Sequence, residues 1–376
     1  MKRFNFGFTI IDLLGVFVIL LLFAGLIFPF LQSNREQSRR VACSAKLKLL
    51  GEKIIQYESA NHKLPAHKHG PQSSKRISAF TDLLPFLNYE SLYKEIVETK
   101  WQVPWRKEKV GTDGKPILDD NKNQIPGPYC KTISEILCPV DSAGFNLEPF
   151  SNGCTNYVFS HGDWITGTNE TFSRGVFAPD TWRQMKDIVD GNSYTIAMSE
   201  RIISPLTYSG KSVLKESNLE IPFQVSMRGG VLIGMGVIVS EKIDKQNFIP
   251  CFNAVSKNVF TDLDNSLKVN IEWSCRRWAD GQHVFTSMNT IFPPNVSSCA
   301  AETNDQSALL MPPASYHVNG VNVLLLDGQV RFISNKIDYG GDYTTKHCIK
   351  TGSSPFGVWG ALGSINDSDE KKVEVK

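Results

Sequence analysis

Residues 13–31 form a run of 19 residues without a charged or polar side chain, and this run limits what the chain can fold into more than any other feature. As an α-helix it measures about 28 Å, close to the ~30 Å hydrocarbon core of a bilayer. A buried helix of this length normally shows a polar face. The sequence therefore predicts a membrane-spanning helix over about 13–31. Lys2 and Arg3 before it favour a cytoplasmic N-terminus.

The residues around this run do not form an ordinary secretory signal. Such a signal places a small-residue cleavage site after its apolar stretch, whereas residues 28–31 lead directly to Arg35. Asp12 stands at the start of the run, where a carboxylate is costly unless a cation pairs with it. Cleavage between Gly7 and Phe8 would create such a cation, the new α-amine of Phe8.

This arrangement resembles the type IV prepilin signal, which has a basic leader, Gly, Phe-Thr, an acid as the fifth mature residue and a long apolar helix. The resemblance implies that prepilin peptidase cleaves between Gly7 and Phe8 and methylates the amine of Phe8. It also implies that Asp12 pairs with the N-terminal amine of a neighbouring subunit during assembly. The family usually has Glu where this chain has Asp12. The alternative is an uncleaved signal anchor with the same orientation.

The predicted helix continues beyond the apolar run. Apolar residues recur there at spacings of 4, 3, 4 and 3, namely Cys43, Leu47, Leu50, Ile54 and Tyr57, which is typical of a buried helix face. The sequence thus predicts four parts: a leader over 1–7, a pilin-like helix over 8–62, a β-rich domain over 63–367 and a charged tail over 368–376.

The region after residue 65 has a sequence pattern typical of antiparallel sheet. Short runs of Val, Ile, Phe and Tyr alternate with Gly, Pro, Asn and Asp. Residues 321–326 and 329–333 flank Asp327-Gly328, which predicts a hairpin with a type I′ turn. The predicted fold class is α+β. It consists of a long N-terminal transmembrane or stalk helix, as in the pilin lollipop, packed on a large antiparallel β-rich domain.

Several segments together resemble a planctomycete-type, pseudopilin-like family, in which a prepilin signal precedes a C-terminal domain of unknown function. The matching segments are residues 43–48, 136–139, 156–157, 187–195, 289–295, 299, 315–323, 327–328 and 358–363. The resemblance covers most of the chain in order, and it implies no activity.

The chain has eight cysteines. Cys43 lies in the predicted helix. The other seven are possible disulfide partners if the domain lies outside the cytoplasm, namely Cys130, Cys138, Cys154, Cys251, Cys275, Cys299 and Cys348. Their connectivity stays open, and their odd number leaves at least one thiol free or paired between chains.

Two patterns are weak metal candidates. His62, His67 and His69 lie close together after the helix, but histidines in a loop beside lysines are more often solvated. The alternation Asp119, Asn121 and Asn123 is similar to the start of a calcium loop. It lacks the glycine and the bidentate glutamate that such a loop requires.

The sequence also argues against an enzyme. Ser315, His317 and Asp327 are a candidate hydrolase set, but no Gly-x-Ser-x-Gly motif is present. Cys138 is a candidate nucleophile, but a paired or buried cysteine is the usual case in an oxidising compartment. No CxxC, HExxH or glycine-rich phosphate loop occurs. We therefore expect no catalytic residues and no cofactor.

The expected function is that of a pseudopilin-like structural or assembly protein. Its net charge of +2 does not favour nucleic acid as a partner. The expected partners are prepilin peptidase/methyltransferase, the membrane, and other copies or pseudopilins. The expected location is the inner membrane, as in type II secretion, with a single pass and the domain in the periplasm or at the surface. The alternative is a binding module for glycan, peptide or protein that uses the helix only as an anchor.

Overall fold

A computed structural model describes residues 10–71, 75–99, 103–111, 113–145, 147–165, 171–204, 207–208, 211–212, 231–233, 251, 255–256, 259–260, 268–270, 273–301, 304–342 and 346–367. The helices are α1 Ile10–Asn61, α2 Ala79–Leu83, α3 Glu90–Glu98, α4 His283–Thr286 and α5 Gly357–Gly363. Short 3₁₀ turns lie at Pro85–Leu87, Pro128–Cys130, Ser134–Ile136, Ser142–Gly144, Met185–Asp187 and Asn192–Tyr194.

The strands are short. They are β1 Lys68–His69, β2 Ile77–Ser78, β3 Tyr157–Ser160, β4 Ile196–Glu200, β5 Thr207–Tyr208, β6 Lys211–Ser212, β7 Val231–Ile233, β8 Val255–Ser256, β9 Val259–Phe260, β10 Lys268–Asn270, β11 Ser287–Met288, β12 Ser298–Ala300, β13 Leu309–Leu310, β14 Gly320–Leu325 and β15 Val330–Ser334.

The C-terminal half of α1 is embedded in the domain. The apolar stripe predicted from the sequence is confirmed, because Cys43, Leu47 and Leu50 are fully buried on it. Gly51 permits a close approach to the sheet, since a Cβ at this position would lie 2.7 Å from Cδ1 of Leu324. The helix is thus part of the core from Cys43 onward and not a free stalk.

The apolar side chains at the other end of α1 face outward. Leu13, Leu22 and Phe23 are each more than half exposed. Within the described part of the chain, no helix combines the length and the apolarity that a membrane crossing requires. The prediction of a long N-terminal transmembrane or stalk helix is therefore wrong.

The central sheet has the strand order β11-β3-β4-β14-β15. Strand β11 runs parallel to β3, with Ser287 opposite Phe159, while the other pairs are antiparallel. A second sheet, β10-β7-β12-β13, also contains a parallel pair, β12 with β7. The prediction of an antiparallel domain is wrong, because each of these two sheets contains a parallel pair. The parallel pairs join segments distant in sequence, which no turn motif marks.

The two faces of the central sheet pack on different partners. Leu324 points toward α1 and belongs to the core cluster around Leu47. Its neighbours in β14, Val323 and Leu325, belong to a second cluster with Trp359 of α5. Successive side chains of a strand point to opposite faces, so the alternation in β14 places the sheet between α1 and α5.

The predicted hairpin of β14 and β15 is present, with Val321 opposite Ile333. Its turn differs from the predicted type I′, which requires positive φ at two residues. Only Gly328 has a positive φ here, of 87°, and its N–H donates to the carbonyl of Leu325 at 3.0 Å. This is the geometry of a type I turn followed by a glycine bulge.

A disulfide joins Cys43 of α1 to Cys138, 95 residues later in the chain. Because this cross-link closes a long loop, we expect the double variant Cys43→Ala/Cys138→Ala to lose about 4 kcal/mol of unfolding free energy. Urea denaturation of the two proteins measures the difference. The variant Cys154→Ala, which removes a buried free thiol, is the matched control. Equal losses in the two variants would contradict the expectation.

Candidate functional site

The residues predicted for processing and assembly are Gly7, Phe8 and Asp12, near the first described residue, Ile10. Gly7 and Phe8 lie outside the described residues. Asp12 is the third residue of α1, and its side chain is likewise outside the description. The structure therefore leaves the predicted cleavage, methylation and assembly residues as predictions.

The weak calcium candidates form an exposed turn. Both Asn121 and Asn123 donate their backbone N–H to Oδ1 of Asp119, at 2.9 and 2.8 Å. Hydrogen bonds from the backbone of Asn123, with further bonds from Asn123 and Asn121, lower the pKa of Asp119. The carboxylate thus holds its own turn together.

The candidate hydrolase set is not assembled. The hydroxyl of Ser315 donates to the carbonyl of Gly320 and accepts the backbone N–H of His317. Asp327 accepts the backbone N–H of Gln329, which is the role of a turn residue. Each member therefore has a structural partner of its own.

His317 joins α1 to the central sheet. Its Nδ1 lies 2.9 Å from Oε1 of Glu36 on the helix, and its Nε2 lies 3.4 Å from Oε1 of Glu200 on β4. Glu200 is buried and accepts both the backbone N–H and the side-chain amide of Asn322. Burial lowers the pKa of His317, but Glu200 and Glu36 outweigh it and raise the pKa above its ordinary value.

The Cys43–Cys138 disulfide lies beside this ion pair. Its sulfurs and donor atoms of Glu200 and His317 all lie within 4.8 Å of one another. Because the two sulfurs are bonded to each other, they are not thiolate ligands, and we read this group as the junction that fixes α1 on the sheet. Sequence reasoning placed Cys43 apart from the pairing cysteines because it lies in the predicted helix, and no local pattern marks Cys138 as its partner.

The remaining cysteines divide into two groups. Cys251 pairs with Cys299. Four cysteines are not part of a disulfide, namely the half-buried Cys130 and the buried Cys154, Cys275 and Cys348.

Three further histidines meet in the core. His67 follows α1, His161 follows β3, and His283 begins α4. All three are fully or almost fully buried. One nitrogen from each can be chosen so that the three lie within 4.8 Å of one another. The loop histidines were expected to be solvated as a group, and for His67 this is wrong.

Backbone hydrogen bonds position the segments that carry His67 and His161. His67 is held by hydrogen bonds to the carbonyl of Ala178 and from the N–H of Ala79, both at 3.0 Å. The N–H of His161 donates to the carbonyl of Met288 on β11, and the parallel pair of β11 with β3 thereby brings His161 close to α4. The other two histidines of the predicted loop cluster lie apart, because His62 is exposed and His69 contacts Asp82 at 2.9 Å.

The three rings contact one another directly. The ring of His161 stands edge-on to those of His67 and His283, with centroids 4.4 Å apart in both cases. The rings of His67 and His283 are nearly parallel, at 5.2 Å. Burial, with the nearby charge of Lys68, lowers the pKa of His67 to about 3. Burial likewise lowers the pKa values of His161 and His283, so all three are neutral imidazoles at neutral pH.

Sequence reasoning missed His161 and His283. They lie 94 and 216 positions after His67 by their residue numbers, and each stands beside a glycine-containing turn without a metal-binding spacing. Neutral imidazoles are the residues that hold zinc, copper, iron or nickel in proteins. These three are the described residues that are suited to hold a metal.

Comparison with known proteins gives one match. A family model described as a protein of unknown function (DUF1559) matches residues 32–340. No curated protein and no solved structure matches the chain significantly.

The His317 ion pair predicts a pH-dependent stability. Because the pKa of His317 is raised in the folded protein, its contribution is fully present below the ordinary pKa of about 6.5. It is lost as the pH rises through the folded pKa. We expect His317→Asn to cost about 3 kcal/mol under acidic conditions, since it leaves Glu200 buried without its cation, and less under alkaline conditions.

Urea unfolding of wild type and His317→Asn at about pH 6 and about pH 9, on either side of the ordinary histidine range, measures this difference. His62→Asn, at an exposed position, is the control. A wild-type advantage that stays constant between the two pH values would exclude a charged His317 as its source.

Proposed function

The chain belongs to the DUF1559 family of proteins of unknown function, and we propose that it is a pseudopilin-like structural protein. In this proposal prepilin peptidase cleaves between Gly7 and Phe8 and methylates Phe8. The exposed apolar part of α1 then associates with the inner membrane and with helices of other copies or of pseudopilins. The family match begins at residue 32, so the proposal for the preceding residues rests on the sequence resemblance and on the exposure of α1.

One observation carries the proposal. Helix α1 continues from an exposed apolar part into a buried part within a single element, Ile10–Asn61. Large apolar side chains such as Leu14, Phe17 and Leu20 are each about 60% exposed. Exposed apolar surface of this extent is typical of a protein or membrane contact. Because the other end of the helix is buried in the domain, a contact made by the exposed end also holds the domain in place.

The disulfides support a location outside the cytoplasm. Cys43–Cys138 and Cys251–Cys299 are both paired, and such cross-links persist in oxidising compartments. The domain would then face the periplasm or the cell surface.

N-terminal processing tests the proposal. The full chain is produced together with prepilin peptidase, and its mature N-terminus is determined by intact mass and N-terminal sequencing. We expect a chain that starts at methylated Phe8. We expect Gly7→Val to block cleavage, because a branched side chain replaces the small residue before the cut. Gly15→Val, at a position with open space around it, is the matched control and should be cleaved normally.

Self-association is measured separately. A cysteine at Val16, which is half exposed, should form disulfide-linked dimers in membranes when copies assemble through α1. Asp12→Asn should keep cleavage but reduce this cross-linking, because the neutral amide no longer attracts the α-amine of Phe8. A chain that keeps Met1 would refute the processing, and cleavage without cross-linking would leave the helix as an anchor for a binding module.

A further inference from the structure

We infer that His67, His161 and His283 form a buried site for one late first-row transition-metal ion, which they bind through three neutral imidazoles. This histidine site is independent of the proposed assembly function. It lies beyond the end of α1 that is buried, whereas assembly concerns the exposed end.

Hydrogen bonds determine which nitrogen of His67 carries the ring proton. Nε2 of His67 lies 3.1 Å from Oγ1 of Thr286. That hydroxyl donates its own proton to the carbonyl of Asp280 at 3.1 Å, so its oxygen accepts from His67. Nε2 therefore carries the ring proton, and the lone pair is on Nδ1. Nδ1 has no hydrogen-bond partner among the described residues.

His283 is arranged in the same way. Its Nδ1 lies 3.3 Å from Oγ of Ser287. The hydroxyl of Ser287 donates to the backbone carbonyl of His283 at 2.9 Å, so it accepts the proton of Nδ1. The lone pair of His283 is thus on Nε2, which likewise lacks a partner in the described part of the protein. Metal-binding histidines commonly donate their second N–H to a fixed acceptor, and this fixes the tautomer and the ring.

His161 completes the set. Neither of its ring nitrogens has a hydrogen-bond partner within the described ranges, and no hydrogen bond joins it to His67 or His283. A buried polar group left unsatisfied is destabilising. Nitrogen lone pairs gathered in one place without a donor repel one another. A metal ion removes this repulsion, since it accepts a lone pair from each ring.

The spacing is within reach of one ion. Three nitrogens at 2.0–2.1 Å from a tetrahedral zinc lie about 3.3 Å apart, and one nitrogen of each ring can be chosen here so that the three lie within 4.8 Å of one another. Modest rotations of the three rings close the difference. The three rings already lie in direct contact, with His161 edge-on to the other two.

The charge around the site favours an ion of low charge. The neighbouring charges that act on the three rings are those of Lys68 and Arg183, and no carboxylate joins the cluster within the described chain. The cost of burying an ion rises with the square of its charge. Copper(I) also accepts three nitrogen ligands, whereas zinc almost always takes four. We therefore expect copper(I) to bind more tightly than zinc(II).

The site is closed. The three rings are at most 2% exposed, and catalytic metal sites instead keep an open position for water or substrate. The ion would join three segments that are far apart in the chain, namely the segment after α1, the end of β3 and α4. Its role would be to fix these segments to one another.

Metal titration of the full-length, disulfide-intact protein tests the site. Copper(I) and zinc(II) are each titrated in competition with a chromophoric chelator. Wild type should bind one equivalent that is absent from His161→Gln and His283→Gln, and this equivalent should raise the unfolding temperature of wild type alone. His62→Asn, at an exposed histidine with a φ of 55°, is the matched control and should bind as wild type does.

The four cysteines outside the disulfides compete for copper(I), and two features of the design separate them from the site. The histidine variants keep all four thiols, so only the difference from wild type reports the imidazoles. X-ray absorption of the bound ion should show nitrogen neighbours at about 2.0 Å, whereas sulfur neighbours lie at about 2.3 Å.

Thr286 provides a test that leaves the three ligands in place. Thr286→Val removes the acceptor of the His67 proton and should weaken metal binding by about 10–100-fold. Thr286→Ser keeps the hydroxyl and should restore it. Equal metal content in wild type and the histidine variants, or sulfur neighbours alone, would overturn the proposal. So would equal affinity in Thr286→Val and Thr286→Ser.

Discussion

The close contact between α1 and β14 is the constraint on which the rest of the domain depends. Gly51 lets the helix backbone approach Leu324, and the hydroxyl of Tyr157 donates to the carbonyl of Cys43 at 2.9 Å. The Cys43–Cys138 disulfide and the ion pair of His317 with Glu36 lie at the same junction. Packing, a hydrogen bond, a covalent link and a charge pair thus fix the helix on the central sheet and on the loops beside it.

The position of α1 also determines where the histidine site forms. The helix ends at Asn61, and the chain then turns to place His67 against Ala178. The same chain segment continues into β1 and pairs with β2. A shift of the helix along β14 would therefore move His67 away from His161. The junction around His317 and the histidine site differ in chemistry, but the positions of both depend on α1.

Parts of the fold could be predicted from local patterns, and parts could not. The buried stripe of α1 and the β14–β15 hairpin depend on periodicity and on a turn, which short stretches of sequence encode. The parallel pair of β11 with β3 joins residues about 128 positions apart, and no local pattern specifies it. For the same reason the sequence indicated His67 but not its partners. The turn type was also missed, because Asp327-Gly328 suits more than one hairpin geometry.

Short strands explain why cross-links are so prominent in this fold. Most of the described strands have two or three residues, and so few ladder hydrogen bonds hold distant segments together only weakly. Two disulfides, Cys43–Cys138 and Cys251–Cys299, join such segments. In the proposed oxidising location a thiolate metal site would compete with disulfide formation. Imidazoles do not form disulfides, so histidine is the ligand with which a metal cross-link can persist beside them.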